Sequence, residues 1–178
     1  RAEIVLQQEQ LGTGHAVMQA LPYIDDEQTI LVLSGDQPLL KATTLNTLVE
    51  LHQAQEAGAT VLTAWLDEPF GYGRILKKGE NLVKIVEEKD ASAEERKIKE
   101  INTGTYCFKG SALKEALAKI TTNNAQGEYY LTEVFAVLLK QNQKVLTYCT
   151  PDSLEALGIN SRSQLAEAEG IVRRSILE

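Results

Sequence analysis

An aspartate at the end of a buried strand can hold a divalent metal and, through it, phosphate oxygens. Asp36 has that position. Ile30, Leu31, Val32 and Leu33 form a continuous apolar run that stops at Ser34, Gly35 and Asp36, the pattern of a strand covered on both faces. Gly35 permits a tight turn or the close approach of a ligand, and Pro38 blocks extension of the ladder, so the carboxylate is left on a short, constrained loop. Taken alone, these residues also describe an aspartate that caps a turn. A second candidate comes earlier: Leu11-Gly12-Thr13-Gly14 precedes a helical run carrying Ala16, Val17 and Met18, and glycines at a helix entrance let an anion approach backbone N–H groups. Further polar residues stand beside core-forming ones: Glu87 after Ile85-Val86, Asn102 after Ile101, and Asn160 before Ser161. Each has an ordinary alternative, as a solvent-facing strand residue, a turn former and a helix starter. His15 and His52 lack the His or Cys partners that zinc would need.

The elements that must position these groups follow from periodicity and punctuation. Ile4, Val5 and Leu6 predict a short strand before the glycine loop. After the Asp36 strand, Thr43 or Thr44 caps a helix carrying Leu45, Leu48, Val49 and His52, closed by Gly58, and residues 60–66 form the next strand. That order implies a right-handed crossover in a parallel sheet. A turn-rich loop over 67–74 leads to a hairpin, 75–77 and 82–87. Ser92 with Glu95 makes a capping box for a short helix ending near Ile98, before a strand over 100–108. Ser111 caps a helix with Leu113, Ala116, Leu117 and Ile120 on one stripe; another helix starts near Tyr130, and 145–149 is a late strand. Ser161 with Gln164 opens a last helix to about Leu177. The whole describes one three-layer α/β domain over residues 1–178, with a mostly parallel sheet and a small hairpin subregion.

Composition narrows the function classes. The 178 residues are 43% hydrophobic and 24% charged, with 4 Pro and 12 Gly, an ordinary globular composition able to bury a sizeable core. A formal charge of −7, spread along the chain, argues against nonspecific nucleic-acid binding. No apolar run approaches the ~20 residues of a membrane span. Cys107 and Cys149 sit in apolar, strand-like runs, which predicts small buried hydrophobes in a reducing compartment. The chain opens at Arg1 next to a strand-like segment, so the protein's own N-terminus is expected upstream and targeting is weakly constrained.

Seven blocks carry a resemblance: QQEQLGTGHA, LSGDQPLL, FGYGRI, IVEEKDA, EINTG, NNAQGEYYLT and GIN, in this order over almost the whole chain. Together they resemble the uridylyltransferase domain of the bacterial bifunctional N-acetylglucosamine-1-phosphate uridylyltransferases. The resemblance implies a Rossmann-like fold of the nucleotide-diphospho-sugar transferase type. It implies Mg²⁺ held by Asp36 and Asn160, a uracil side at Gln7, Gly12 and Thr13, and a sugar-phosphate pocket of Gly73, Glu87, Asn102, Tyr130 and Thr132. The implied substrates are UTP and N-acetylglucosamine 1-phosphate, and the product is UDP-N-acetylglucosamine for cytoplasmic peptidoglycan synthesis. The full-length enzyme of that family is implied to be a homotrimer.

Two parts of the family pattern are not in this chain, the glycine-rich LxAGxGTRM loop with its following Lys, and the β-helix acetyltransferase half. Ser34 also stands where some relatives carry an aromatic residue. Attack by a sugar 1-phosphate oxygen on the α-phosphorus of UTP needs no general base, because the attacking phosphate is already ionised; it needs positioning and charge neutralisation. Of the basic residues, Arg74 and Lys89 fall beside the implied site, and two cations cannot balance these anions. The expectation is therefore a chain that folds at most partially and is inert on its own. Rival readings are transfer to another sugar 1-phosphate, such as glucose, and a noncatalytic sugar-nucleotide binding module. A Rossmann dehydrogenase is disfavoured, since no GxGxxG opens a strand–helix–strand unit.

Overall fold

A sheet covered on both faces explains the apolar runs of its inner strands, but not that of residues 30–33. The strand before Asp36, expected to be buried on both faces, has no buried residue, and Leu31 and Leu33 are 36% and 48% exposed. The structure, a computed structural model, describes residues 2–177. In β2 (Ala59–Trp65) the first six residues are all buried. Ala59 and Val61 join Phe108 of β5 (Glu100–Lys109) in a cluster with Leu113 and Leu117 of α3 (Gly110–Leu117) and Phe135 and Leu138 of α4 (Glu133–Lys140). Leu62 and Cys107, one residue out of step, instead pack with Leu48 of α2 (Ala42–Ala54), because successive strand side chains point to opposite faces. Three layers result, as expected. The rings of Tyr106, Phe108 and Phe135 meet at centroid distances of 5.4 to 5.8 Å, and each such buried side chain contributes about 2–3 kcal/mol.

Among the described residues six strands form the sheet, with β5 at its centre. β2 runs antiparallel along one side of β5; on the other side β1 (Thr29–Val32) pairs with residues 106–109 and β3 (Gly73–Lys78) with Asn102 and Ile101. β6 (Val145–Cys149) adds parallel to β2, and β4 (Asn81–Val86) closes the predicted hairpin against β3. β1, β2, β3 and β6 therefore share one direction, while β4 and β5 oppose it. The mostly parallel sheet expected from the sequence is not what forms: among the described residues β1–β5, β2–β5, β3–β5 and β3–β4 all pair antiparallel. Because β5 lies between β1 and β2, the parallel pairing among the described residues is β2 with β6.

Several boundaries move for local reasons. Residues 4–6 form no strand, and Ile4 and Leu6 are 94% and 72% exposed. α2 starts without a threonine cap: Thr44 is buried, and the Lys41 N–H is bound by the Glu155 carboxylate at 3.1 Å. Past its end it is Glu56, at φ 48°, rather than Gly58, that adopts the left-handed conformation. α3 begins at Gly110, where a Cβ would stand 2.0 Å from the Asp25 carbonyl oxygen. α4 begins three residues after Tyr130, because Leu131 N–H is bound by Thr13 Oγ1 and Thr132 by Glu87. The Ser92–Glu95 box forms reciprocally, at 3.3 and 2.8 Å, but opens only a single 3-10 turn, Glu95–Lys97. Cys107 is buried as predicted, whereas Cys149 is exposed at the end of β6. Short α1 (Thr13–Met18) and the C-terminal α5 (Arg162–Leu177) complete the chain. Among the described residues no helix is long and apolar enough to cross a membrane.

Candidate functional site

A cleft of about 470 Å³ opens where β1 ends, between the β3–β4 hairpin, the start of α1 and the segment preceding α5. The loop after β1 is pinned from beneath by Gln37, which is buried: its Nε2 donates to the Thr103 carbonyl oxygen, and Thr105 Oγ1 donates to its Oε1 at 3.1 Å. Asp36 is thereby held exposed at the cleft edge. The Ile159 N–H donates to the Asp36 carbonyl oxygen at 2.9 Å, which binds this loop to the 158–160 segment.

Gly158 leaves a gap between the two expected metal ligands. A Cβ there would lie 3.2 Å from Asp36 Oδ2 and 3.7 Å from Asn160 Nδ2. Asn160 is not used as a helix cap: Gln164 N–H is taken by Ser161 Oγ at 3.2 Å, and the Gln164 side chain accepts the Asn160 N–H at 2.7 Å. The Asp36 carboxylate and the Asn160 amide, once its side chain is turned to present Oδ1 in place of Nδ2, fit Mg²⁺, which takes few protein ligands. Among the described residues no cluster of three or more His, Cys, Asp or Glu side chains competes as a metal site.

The other end of the cleft is built by Gly73, Glu87, Asn102, Thr132 and Tyr106. Gly73 pairs with Asn102 across β3 and β5, and a Cβ on it would reach to 3.3 Å from Glu87 Oε2 and 3.4 Å from Asn102 Cβ. Its missing side chain is therefore part of the pocket. We expect Gly73→Ala to raise the KM for the ligand held there about tenfold or more with little change in melting temperature, measured by steady-state kinetics beside thermal unfolding. Glu87 Oε1 receives the Thr132 hydroxyl at 2.8 Å. Burial pushes the Glu87 carboxyl above its ordinary value; the Thr132 bond opposes this and the Asp90 charge adds to it. A carboxylate with a raised folded pKa costs stability when ionised, and falling pH through that pKa relieves the cost. Glu87→Gln is accordingly expected to melt higher than the parent at pH 8, with the gain shrinking as pH falls through the raised pKa. It should also lose about tenfold in kcat/KM, and denaturation and rate profiles against pH check both.

Of the ten expected site residues, Thr13, Asp36, Gly73, Glu87, Asn102, Thr132 and Asn160 line this cleft. Three do not. Gln7 is turned to its own loop, with Nε2 donating to the Gly12 carbonyl at 3.2 Å and lying 3.0 Å from His15 Nδ1. Gly12, at φ 106°, is required by packing: a Cβ would stand 2.7 Å from the Tyr129 carbonyl oxygen. Tyr130 faces a neighbouring 180 Å³ pocket that shares Glu87 and Thr132 with the cleft. Neither expected cation reaches the cleft. Arg74 is 2% exposed and paired with Glu88 at 2.9 Å, and Lys89 is bound to Gln126. Sequence reasoning missed Gln37 and the Tyr106 hydroxyl, because a Gln beside a Pro-containing turn and a Tyr in a core strand both read as ordinary. It also missed that the Gly158 N–H donates to the Tyr72 hydroxyl at 3.4 Å, joining the hairpin to the Asp36–Asn160 side.

No Lys or Arg lines the cleft among the described residues, so an anionic ligand needs a bound cation or groups beyond these walls. The architecture is that of solved nucleotidyltransferases. A putative glucose-1-phosphate thymidylyltransferase from Bacillus anthracis superposes with a TM-score of 0.71 over 93% of this chain and 63% of its own, at 19% identity. A UDP-glucose pyrophosphorylase gives 0.68 over 95% and 64%, at 17% identity; at these identities the likeness concerns the fold. The family model for nucleotidyl transferases matches residues 1–156, and the chain belongs to that family. It is 58% identical over 177 residues to the bifunctional protein GlmU of Desulfitobacterium hafniense, covering 99% of this chain and 39% of that protein. It is 51% identical over 180 residues to the GlmU of Enterococcus faecalis, again 39% of the relative. The chain thus spans well under half the length of these relatives.

Proposed function

We propose that this chain is a single uridylyltransferase domain that transfers UMP from UTP to N-acetylglucosamine 1-phosphate, with Mg²⁺ as cofactor, giving UDP-N-acetylglucosamine and pyrophosphate in the cytoplasm. The observation that carries the reading is the cleft itself. One end brings the Asp36 carboxylate and the Asn160 side-chain amide together over Gly158, the other is a polar pocket of Glu87, Asn102 and Gly73, and no basic side chain among the described residues lies between them. Homotrimer formation is proposed only for the longer bifunctional protein.

Each residue has a task in the transfer. Asp36 and Asn160 would hold Mg²⁺, which when bound draws charge from the phosphates of both substrates. Glu87 and Asn102 orient the sugar so that a phosphate oxygen forms the new bond to the α-phosphorus as the bond to the bridging β-oxygen breaks. Gln37 and the Ile159–Asp36 bond keep the Asp36 loop from moving during that exchange. Positioning of this kind supplies a large share of catalysis in phosphoryl-type transfers. Thr13 and its loop form the wall nearest α1, where the nucleotide base is proposed to sit, after Gln7 turns from His15.

The test is pyrophosphate release from UTP and Mg²⁺ with N-acetylglucosamine 1-phosphate or glucose 1-phosphate, by this chain and by the chain extended with the family's glycine-rich loop. Turnover in the extended protein with preference for the N-acetylated sugar supports the proposal. Preference for glucose 1-phosphate replaces the substrate. A folded, silent protein that binds UDP-N-acetylglucosamine without Mg²⁺ is instead a binding module.

A further inference from the structure

We propose that the Tyr106 hydroxyl is a substrate contact, donating a hydrogen bond to a hydroxyl oxygen of the sugar held between Glu87 and Asn102; this rests on the sugar-phosphate reading of that pocket. Tyr106 lies on β5, its ring fixed against Phe108 and Phe135 at centroid distances of 5.8 and 5.4 Å. It is only 5% exposed, yet it lines the cleft beside Glu87 and Asn102. Its oxygen accepts a bond from Asn102 Nδ2 at 2.8 Å. A phenol carries one proton of its own to donate, and among the described residues no protein acceptor takes it.

The neighbours define what does. Asn102 Oδ1 is engaged by the Gly104 N–H at 3.1 Å, and Glu87 Oε1 by Thr132. Open to a ligand are the Tyr106 O–H, the second Asn102 N–H and Glu87 Oε2. Burial, with the Glu87 charge adding to it, raises the phenol far above its ordinary value, so it remains a donor at neutral pH. A phosphate would suit the two donors but would be repelled by the Glu87 carboxylate. A sugar hydroxyl satisfies both sides at once, donating to Glu87 and accepting from Tyr106. Buried donors left without such a partner cost free energy, so the pocket favours a ligand with a hydroxyl at this point.

Tyr106→Phe keeps the ring and its packing and removes only the hydroxyl. Calorimetric binding of N-acetylglucosamine 1-phosphate and its monodeoxy analogues to both proteins is the test. The expected result is about 5–30-fold weaker binding of the parent sugar by the variant, with one analogue bound equally by both proteins. UTP affinity should not change. Equal binding of the parent sugar overturns the proposal, and so does a loss of the same size for every analogue, which would assign the effect to a displaced Asn102. The wild type alone gives a second measurement: if every analogue binds as well as the parent, no sugar hydroxyl is held and the proposal falls. A folded wild type that binds no sugar 1-phosphate fails differently, since it removes the proposed function itself.

Discussion

In the protein extended with the glycine-rich loop, Asp36→Asn is expected to lower the proposed uridylyl transfer by about 10²–10³-fold at saturating substrates, with no loss of melting temperature. The side chain is exposed on a loop whose hold comes from elsewhere: Gln37 beneath it, and the Asp36 carbonyl, which any residue supplies. Removing its charge therefore takes no support from the fold, and in a chain of formal charge −7 it slightly eases repulsion. What is lost is the anionic member of the pair facing the space over Gly158. Asparagine keeps one oxygen of similar placement, so the metal should still bind, more weakly; Mn²⁺ titration followed by electron spin resonance should show its affinity falling. A rate within threefold of the parent, or an unchanged Mn²⁺ affinity, would sink the assignment of Asp36. A collapse in stability would instead mean that the carboxylate caps its turn, the plainer alternative left open by its sequence.

How much of this was legible beforehand depends on the range of the interaction. Apart from the strand expected at residues 4–6, the strands, the hairpin and the reciprocal Ser92–Glu95 pair follow from periodicity and neighbours a few residues apart, and they formed. Gln164 illustrates the limit. The pairing of Ser161 Oγ with its N–H is local and was foreseen, while its side chain took the Asn160 N–H instead of that of Ser161. The position of β5 between β1 and β2 could not be read, because nothing in residues 29–66 records that a strand forty positions later will insert there. Glu87 and Asn102 could be named from the resemblance, but the Thr132, Gly104 and Tyr106 partners that orient them come from separate parts of the fold. Gly12 and Gly14 show another limit. Both were expected to admit a ligand, and the structure adds a packing reason: a Cβ would strike Tyr129 and Glu128 at Gly12, and Ile120 and Tyr129 at Gly14. Sequence shows that a glycine is needed and leaves open what comes close.

Arg74→Met should destabilise the protein by about 3 kcal/mol while leaving both KM values within about twofold, the reverse of what a phosphate-binding arginine would do. Beside the FGYGRI block an arginine invites assignment to the anionic substrate, but its guanidinium is committed inside the fold. It pairs with Glu88 at 2.9 Å and donates to the carbonyls of Tyr72 and Arg96. Glu88 in turn accepts the Gly71 N–H at 3.1 Å and faces Arg96 at 3.3 Å. These bonds clamp the backbone on both sides of Tyr72, whose ring packs against Ala64, Ile101 and Ala156. Loss of Arg74 takes its donors from two carbonyls and leaves Glu88 with the Gly71 N–H and the more exposed Arg96, and breaking a buried pair costs more than the pair is worth intact. Guanidinium unfolding with kinetics on the folded fraction separates the outcomes. A lower midpoint with preserved KM makes Arg74 the support of the cleft wall. A raised KM for either phosphate substrate with an unchanged midpoint would return it to the site, and would mean that the hairpin opens to release its guanidinium when substrate binds.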